Sequence, residues 1–141
     1  MTAQSETKLS VRDFMAKHPQ VLGRNDTLDL AEDIMTMGRI RHLPVLNEGE
    51  LVGIVSQRDM FRSAAVTALG FAVDTQKALV KTIRIKEIMT EKVVTISPDA
   101  TVKEAARIMI DKKIGCLPVV EGMKLIGIIT ETDILRYVVE H

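Results

Sequence analysis

With 141 residues, 46% of them hydrophobic, the chain is long enough to bury a packed core without metals or disulfides. Its 19 basic and 19 acidic residues cancel and no long run of one sign occurs, which argues against a nucleic-acid partner. A single cysteine, Cys116, rules out an intramolecular disulfide framework, no apolar run approaches the ~20 residues of a membrane span, and Met1 to Lys8 lacks a signal-peptide core. The expectation is a cytoplasmic protein without a membrane partner.

In chain order, residues 1–9 read as a loose polar segment. Val11 to Met15 reads as a short helical turn with Ser10 as its cap, and Val21-Leu22 as a brief strand. Leu28, Ala31, Ile34, Met35 and Gly38 recur at spacings of three and four, predicting a helix with one buried face, Asp29, Glu32 and Asp33 on the other, and an end near Gly38. Leu43 to Val55 predicts a hairpin. Ser56 then opens a helix through Met60, Phe61, Ala64, Ala65 and Ala68. Residues 70–83 read as a linker with a partial helix around Val73, Ala78 and Leu79, since the Gly/Ser/Pro bias of a flexible tether is missing.

The same order then returns. Ile85 to Met89 reads as a helical turn, Val93 to Ile96 as a strand, and Val102, Ala105, Ile108 and Met109 as one face of a helix; a second hairpin and a closing helix from Thr130 to about Val139 follow. Thr101 with Glu104 forms a capping-box pattern, whereas Thr27 with Leu30 leaves the first copy only the cap residue. Pro98 restricts the loop where the first copy has Arg24.

The two halves align without a gap from Val11 on Ile85 to Ser63 on Tyr137. Identities include Met15/Met89, Thr27/Thr101, Ala31/Ala105, Ile34/Ile108, Met35/Met109, Ile40/Ile114, Leu43/Leu117, Gly53/Gly127, Asp59/Asp133 and Arg62/Arg136. Each copy is too small to bury its own core well, so the two should pack on each other. A strand–helix–strand–strand–helix order, with a right-handed crossover between parallel strands, makes each copy an α/β (α+β) unit with one helical face.

The chemistry lies where each hairpin ends. Gly53-Ile54-Val55-Ser56 and Gly127-Ile128-Ile129-Thr130 lead from a strand into a helix, presenting backbone N–H groups and the positive end of a helix dipole. Glycine inside such strands marks close approach by a backbone or a ligand. Asp59 and Asp133 each offer two acceptor oxygens suited to a ribose diol, with Arg58, Arg62 and Arg136 available to an anion. Against this stands a plain structural reading, because Ser56-x-x-Asp59 and Thr130-x-x-Asp133 are also capping boxes.

Leu-Pro-Val, a turn, then Leu-x-Gly-Ile-apolar-Ser/Thr-x-x-Asp, twice, each after an Ala-x-x-Ile-Met helix, resembles a tandem pair of cystathionine beta-synthase (CBS) domains, the Bateman module, over roughly residues 10–140. The resemblance implies two pseudo-twofold related repeats, at residues 10–69 and 84–141, joined by the linker 70–83. It also implies a regulatory sensor for AMP, ADP, ATP or S-adenosylmethionine, with no obligatory cofactor, bound in clefts each lined mostly by one copy.

Carried over by position, Asp133 would take the ribose hydroxyls, Thr130 the ribose or phosphate, and Thr95, Ile96 and Pro98 would border the base, with the backbone of Gly115, Cys116, Leu117 and Pro118 beside it and Arg136 near. The matching first site is Val21, Leu22, Arg24, Arg41, His42, Leu43, Pro44, Ser56, Arg58, Asp59 and Arg62. Val21 and Arg24 depart from the family's Thr and Pro. Gln57 and Arg58 precede Asp59 whereas Glu131 and Thr132 precede Asp133, which predicts phosphorylated ligands in the first cleft and less anionic ones in the second.

The remaining reactive residues read as structural. His18, His42, His141 and Cys116 lack metal-ligand spacing, Cys116 has no base near it in sequence, and Met15, Met35, Met89 and Met109 read as core filler. No acid/base constellation emerges, so catalysis is not expected. Helix faces carrying Met60, Ala64, Ala65, Ile134 and Val138 predict a homodimer. The alternatives are a structural dimerisation or scaffold module with vestigial nucleotide clefts, and an accessory chain to a separately encoded enzyme.

Overall fold

The computed structural model describes residues 9–61, 78 and 80–141. In chain order the elements are α1 (Val11–Phe14), β1 (Ala16–Lys17), β2 (Leu22–Gly23), α2 (Leu28–Gly38), β3 (His42–Asn47), β4 (Glu50–Ser56), helical residues 57–61, a 3₁₀ turn (Ile85–Glu87), α3 (Val102–Lys112), β5 (Cys116–Glu121), β6 (Lys124–Thr130) and α4 (Glu131–Glu140). The helix residues expected at Ala64, Ala65 and Ala68, and the linker positions Val73 and Leu79, lie outside the described residues.

These elements gather into two compact units: Gln20–Val93, and the chain up to Pro19 together with Val94–His141. In the first, β2 runs parallel to β3, with Leu22 opposite Val45, and β3 is antiparallel to β4. Residues Ile83 to Thr90 join this unit from beyond the linker. Ile85 N–H donates to the Asp26 carbonyl at 2.8 Å, Leu28 N–H to that of Ile83 at 2.9 Å, and Lys86 N–H to that of Arg24 at 2.9 Å. Thr90 and Ile54 exchange two backbone bonds, at 2.9 and 3.0 Å.

The second unit repeats the arrangement with the amino-terminal segment in that role. Val11 N–H donates to Ala100 at 2.8 Å, Val102 to Leu9 at 3.2 Å and Arg12 to Pro98 at 3.0 Å, while Ala16 and Lys17 pair antiparallel with Ile128 and Gly127 of β6. Each hairpin therefore receives its short helical turn from the opposite half of the sequence. The apolar spacing says why the exchange holds: Ile85 is fully buried among Leu22, Leu28, Ala31, Met35, Leu43, Val45, Val55 and Met60, and Val11 is fully buried among Ile96, Ala105, Met109, Leu117, Val119 and Ile129. Burying one aliphatic side chain in this way is worth about 1.5–3 kcal/mol.

The glycines inside the strands answer to the same segments. A Cβ on Gly53 would lie 2.5 Å from the Met89 sulfur and 3.2 Å from the Thr90 carbonyl oxygen; one on Gly127 would lie 2.6 Å from the Met15 sulfur and 2.8 Å from the Ala16 carbonyl oxygen. Within the described residues, the close approach expected at these glycines is thus made by the repeat-equivalent methionines Met89 and Met15.

Three local expectations are corrected. Val93 to Ile96 is not a strand: Ile96 alone bridges to β5, donating to Pro118 at 3.0 Å and accepting from Val120 at 3.0 Å. Pro98 has no N–H to offer the next rung of a parallel ladder, where Arg24 has one beyond β2. The end expected near Gly38 is where α2 stops: Gly38 is its last helical residue, and the left-handed position after it is taken by Arg39 at φ 52°, as by Lys113 at φ 56° after α3. Ile40 N–H to Met35 and Ile114 N–H to Met109, at 3.2 and 3.1 Å, close both ends in Schellman fashion, so the same chain reversal is made twice without glycine.

Thr27 does not cap α2, because its hydroxyl donates to Asp29 instead and holds that carboxyl below its usual range. Thr101 and Glu104 do form the reciprocal capping box, at 3.0 and 3.2 Å. Finally, Met60 is a core residue of its unit, 5% exposed, rather than part of an outer face. Ile134 packs half-buried against its core, and the exposed apolar residues of α4 are Leu135, Val138 and Val139.

Candidate functional site

Both hairpins deliver a hydroxyl residue and a carboxylate to a helix start, but they use them differently. In the first unit Ser56 N–H donates to Asp59 Oδ2 at 2.9 Å and Asp59 N–H donates to Ser56 Oγ at 3.0 Å, a reciprocal box. In the second, Thr130 N–H and the Thr130 hydroxyl both donate to Asp133 Oδ2, at 2.8 and 3.2 Å. Asp133 is 6% exposed, and its Oδ1 meets Arg136 Nη1 at 3.2 Å.

The capping role is therefore real in both units, and it leaves chemistry unused. A carboxylate carries about four lone-pair sites, and the Thr130 N–H, the Thr130 hydroxyl and Arg136 occupy three of those of Asp133. The half-exposed Arg136 uses one of its five guanidinium N–H donors on this pair, which leaves donors for another anion. Arg62, its first-half counterpart, lies outside the described residues.

The strand register brings the other candidates to these helix starts. Cys116 faces Thr130 across the β5–β6 ladder, and His42 faces Ser56 across β3–β4. Leu22, Ile96, Leu43 and Leu117 point their side chains into the two cores, and Pro44, Pro98 and Pro118 are buried. At those positions only the backbone is available to a ligand. Thr95 is half-buried beside the bridge residue Ile96, whereas Val21, Arg24, Arg41 and Arg58 are exposed.

Burial pushes the Cys116 thiol up, from 9.0 to about 12, with the Asp133 carboxylate adding to the effect. Nucleophilic and redox chemistry need the thiolate, so this cysteine serves as a small wall residue. Labelling with a disulfide reagent at pH 8 should be at least ~100-fold slower in the native protein than in denaturant, because the raised pKa removes most of the thiolate. Equal rates would refute this placement. Because the folded state holds the proton more tightly than the unfolded chain, this group's contribution to stability is complete below pH 9.0 and is lost between pH 9.0 and about 12.

Sixteen residues apart in each half of the sequence, two further positions meet at the helix start. Gln57 N–H donates to the Arg41 carbonyl at 2.7 Å, and Glu131 N–H donates to the Gly115 carbonyl at 3.1 Å, the same bond at the same place in each unit. The Glu131 carboxyl group lies against Gly115, with its Cδ 3.2 Å from where a Cβ there would stand. The available signal was the gapless alignment itself, which sets Arg41 on Gly115 and Gln57 on Glu131. Among the described residues no group of three or more His, Cys, Asp or Glu is arranged to hold a metal ion, and no helix is long and apolar enough to cross a membrane.

The fold, the doubled strand-to-helix carboxylate and the doubled helical turn define a tandem module of two equivalent units. The CBS domain family model matches residues 11–65 and 85–140, and the chain belongs to that family as a pair of CBS domains. Among solved structures, it is similar to the CBS domain pair of protein MJ0100 in complex with 5′-methylthioadenosine and S-adenosyl-L-methionine, at 29% identity and TM-score 0.79, covering 94% of this chain and 98% of that one. It is also similar to CBSX2 in complex with AMP, at 27% identity and TM-score 0.77, covering 94% and 97%.

Longer proteins contain a similar pair. The uncharacterized protein MJ1225 of Methanocaldococcus jannaschii is 32% identical over 90% of this chain, and a homoserine O-acetyltransferase of Methanococcoides burtonii is 35% identical over 94%. The chain spans 46% and 25% of the lengths of these two relatives.

Proposed function

We propose that this protein is a regulatory module that senses an adenosine-containing ligand, an adenine nucleotide or S-adenosylmethionine, and controls a partner or its own assembly without catalysing a reaction. The observation that carries the reading is the buried Asp133 at the start of α4. It keeps acceptor capacity after capping the helix, and Asp59 stands at the equivalent place in the other unit. A ribose diol supplies two adjacent hydroxyl donors for such a carboxylate. The similar structures solved with AMP and with methylthioadenosine and S-adenosylmethionine support the ligand class.

Thr95, Ile96, Pro98, Gly115, Cys116, Leu117, Pro118, Thr130, Asp133 and Arg136 form the proposed second site. The first site comprises Val21, Leu22, Arg24, Arg41, His42, Leu43, Pro44, Ser56, Arg58 and Asp59, with Arg62. A cytoplasmic location and a homodimer using the exposed Leu135, Val138 and Val139 of α4 belong to the same reading. Regulation requires the ligand to bind two assembly states with different affinity.

Asp133→Asn tests the site, because asparagine keeps an oxygen to accept the Thr130 N–H while losing the charge. With AMP, ATP, 5′-methylthioadenosine and S-adenosylmethionine in calorimetry, at least one ligand should bind the parent, and the variant should lose tenfold or more for a ligand of that site. A ligand at 100 times its dissociation constant should stabilise the parent by about 2.7 kcal/mol. The second reading, a scaffold with vestigial clefts, is favoured by the capping boxes, which account for Ser56, Asp59, Thr130 and Asp133 without a ligand. No thermal shift with any of the four at millimolar concentration would establish it.

A further inference from the structure

We infer that the residue pair Gly115/Glu131 in one unit, and Arg41/Gln57 in the other, sets which 5′ substituent of an adenosine ligand each site accepts: neutral or cationic at Gly115/Glu131, anionic at Arg41/Gln57. The inference rests on the adenosine-sensor reading and concerns selection between ligands of that class.

The two pairs occupy the same place. Each joins the residue just before the strand of the Leu-Pro-Val motif to the first residue of the following helix through one backbone hydrogen bond, 3.1 Å from Glu131 to Gly115 and 2.7 Å from Gln57 to Arg41. Their charges are opposite, one carboxylate against one guanidinium. The swap is concerted at both ends of the bond, since glycine at 115 leaves the Glu131 carboxyl group room to lie against the backbone. A side chain there would displace it. Gly115 is not among the residues at positive φ, so its lack of a side chain answers to this packing and not to a backbone need.

Around this position the second site carries Glu131 and Asp133 against the single Arg136, one net negative charge. The start of α4 would otherwise attract a phosphate through its free N–H groups and dipole. Two carboxylates in its first turn offset that attraction and repel a phosphate dianion, which gives selectivity by rejection. A sulfonium or an amino group meets attraction at the same place, and a thioether meets neither. In the first site Arg41 and Arg58 against Asp59 leave one net positive charge, before the charge of Arg24 is counted.

The test uses the full chain carrying Asp59→Asn, which silences the first site, and calorimetry with AMP and with 5′-methylthioadenosine, whose 5′ group is a neutral thioether. This parent should bind methylthioadenosine at least tenfold more tightly than AMP. Glu131→Gln should narrow the ratio threefold or more, and Gly115→Arg with Glu131→Gln should reverse it, with AMP affinity falling steeply as salt is raised. If the double variant fails to fold, Glu131→Gln alone decides. Binding that persists in all proteins with the ratio unchanged within twofold overturns this inference and leaves the sensor reading standing. Absence of binding by AMP, ATP, 5′-methylthioadenosine and S-adenosylmethionine alike to the unsubstituted protein overturns the sensor reading itself and this inference with it.

Discussion

Ile85→Ala is expected to destabilise the unit Gln20–Val93 by about 2–5 kcal/mol, the cost of a cavity where a fully buried aliphatic side chain stood. The location of the damage is the informative part. By sequence Ile85 opens the second repeat, yet its side chain packs with Leu22, Leu28 and Leu43 of the first hairpin's core. Hydrogen exchange should therefore show lost amide protection in α2, β3 and β4, with α3, β5 and β6 less affected. Val11→Ala should do the reverse, opening the core of Leu117, Val119 and Ile129. Loss of protection confined to residues 94–140 in the Ile85 variant would refute the segment exchange.

Gly127→Ala should cost about 1–3 kcal/mol through overpacking, and Gly53→Ala less. Both added methyl groups meet a methionine sulfur, which a flexible side chain can withdraw. They differ in what stands behind it, the Ala16 carbonyl oxygen at 2.8 Å for Gly127 but the Thr90 carbonyl oxygen at 3.2 Å for Gly53. Backbone held in the β1–β6 pairing cannot retreat without breaking that pairing. A double-mutant cycle of Gly53→Ala with Met89→Ala should show a favourable coupling above about 0.5 kcal/mol, since the smaller partner makes room. Chemical denaturation reads all of these. A Gly127→Ala protein within 0.5 kcal/mol of the parent, or one more stable than Gly53→Ala, would contradict the geometry.

Much of this architecture is legible in the chain because its signals are local. The Leu-Pro-Val strand, the two-residue hairpin turns at Glu48-Gly49 and Gly122-Met123, and the three-and-four spacing of Leu28, Ala31 and Met35 each carry their own periodicity. So does Ser/Thr-x-x-Asp, whose capping geometry needs nothing from the rest of the protein. Local patterning misled where the deciding group lay elsewhere or was missing. Val93 to Ile96 has the composition of a strand, but only Ile96 meets β5. Arg39 and Lys113 carry no sign of a left-handed conformation, because the reversal is imposed by the chain that follows.

By itself, the sequence determined that one supersecondary unit occurs twice, that each copy brings a carboxylate to a helix start, and that the two carboxylates sit among different charges. It could not determine which helical turn serves which hairpin, since Val11 to Met15 and Ile85 to Met89 share one pattern and either would fill either core. Only the tertiary structure decided that assignment, through the backbone bonds from Val11 to Ala100 and from Ile85 to Asp26. The same holds for the opposed pairs Arg41/Gln57 and Gly115/Glu131: their charges are written in the chain, but residues so far apart in sequence become neighbours only when strand and helix are joined by a backbone hydrogen bond.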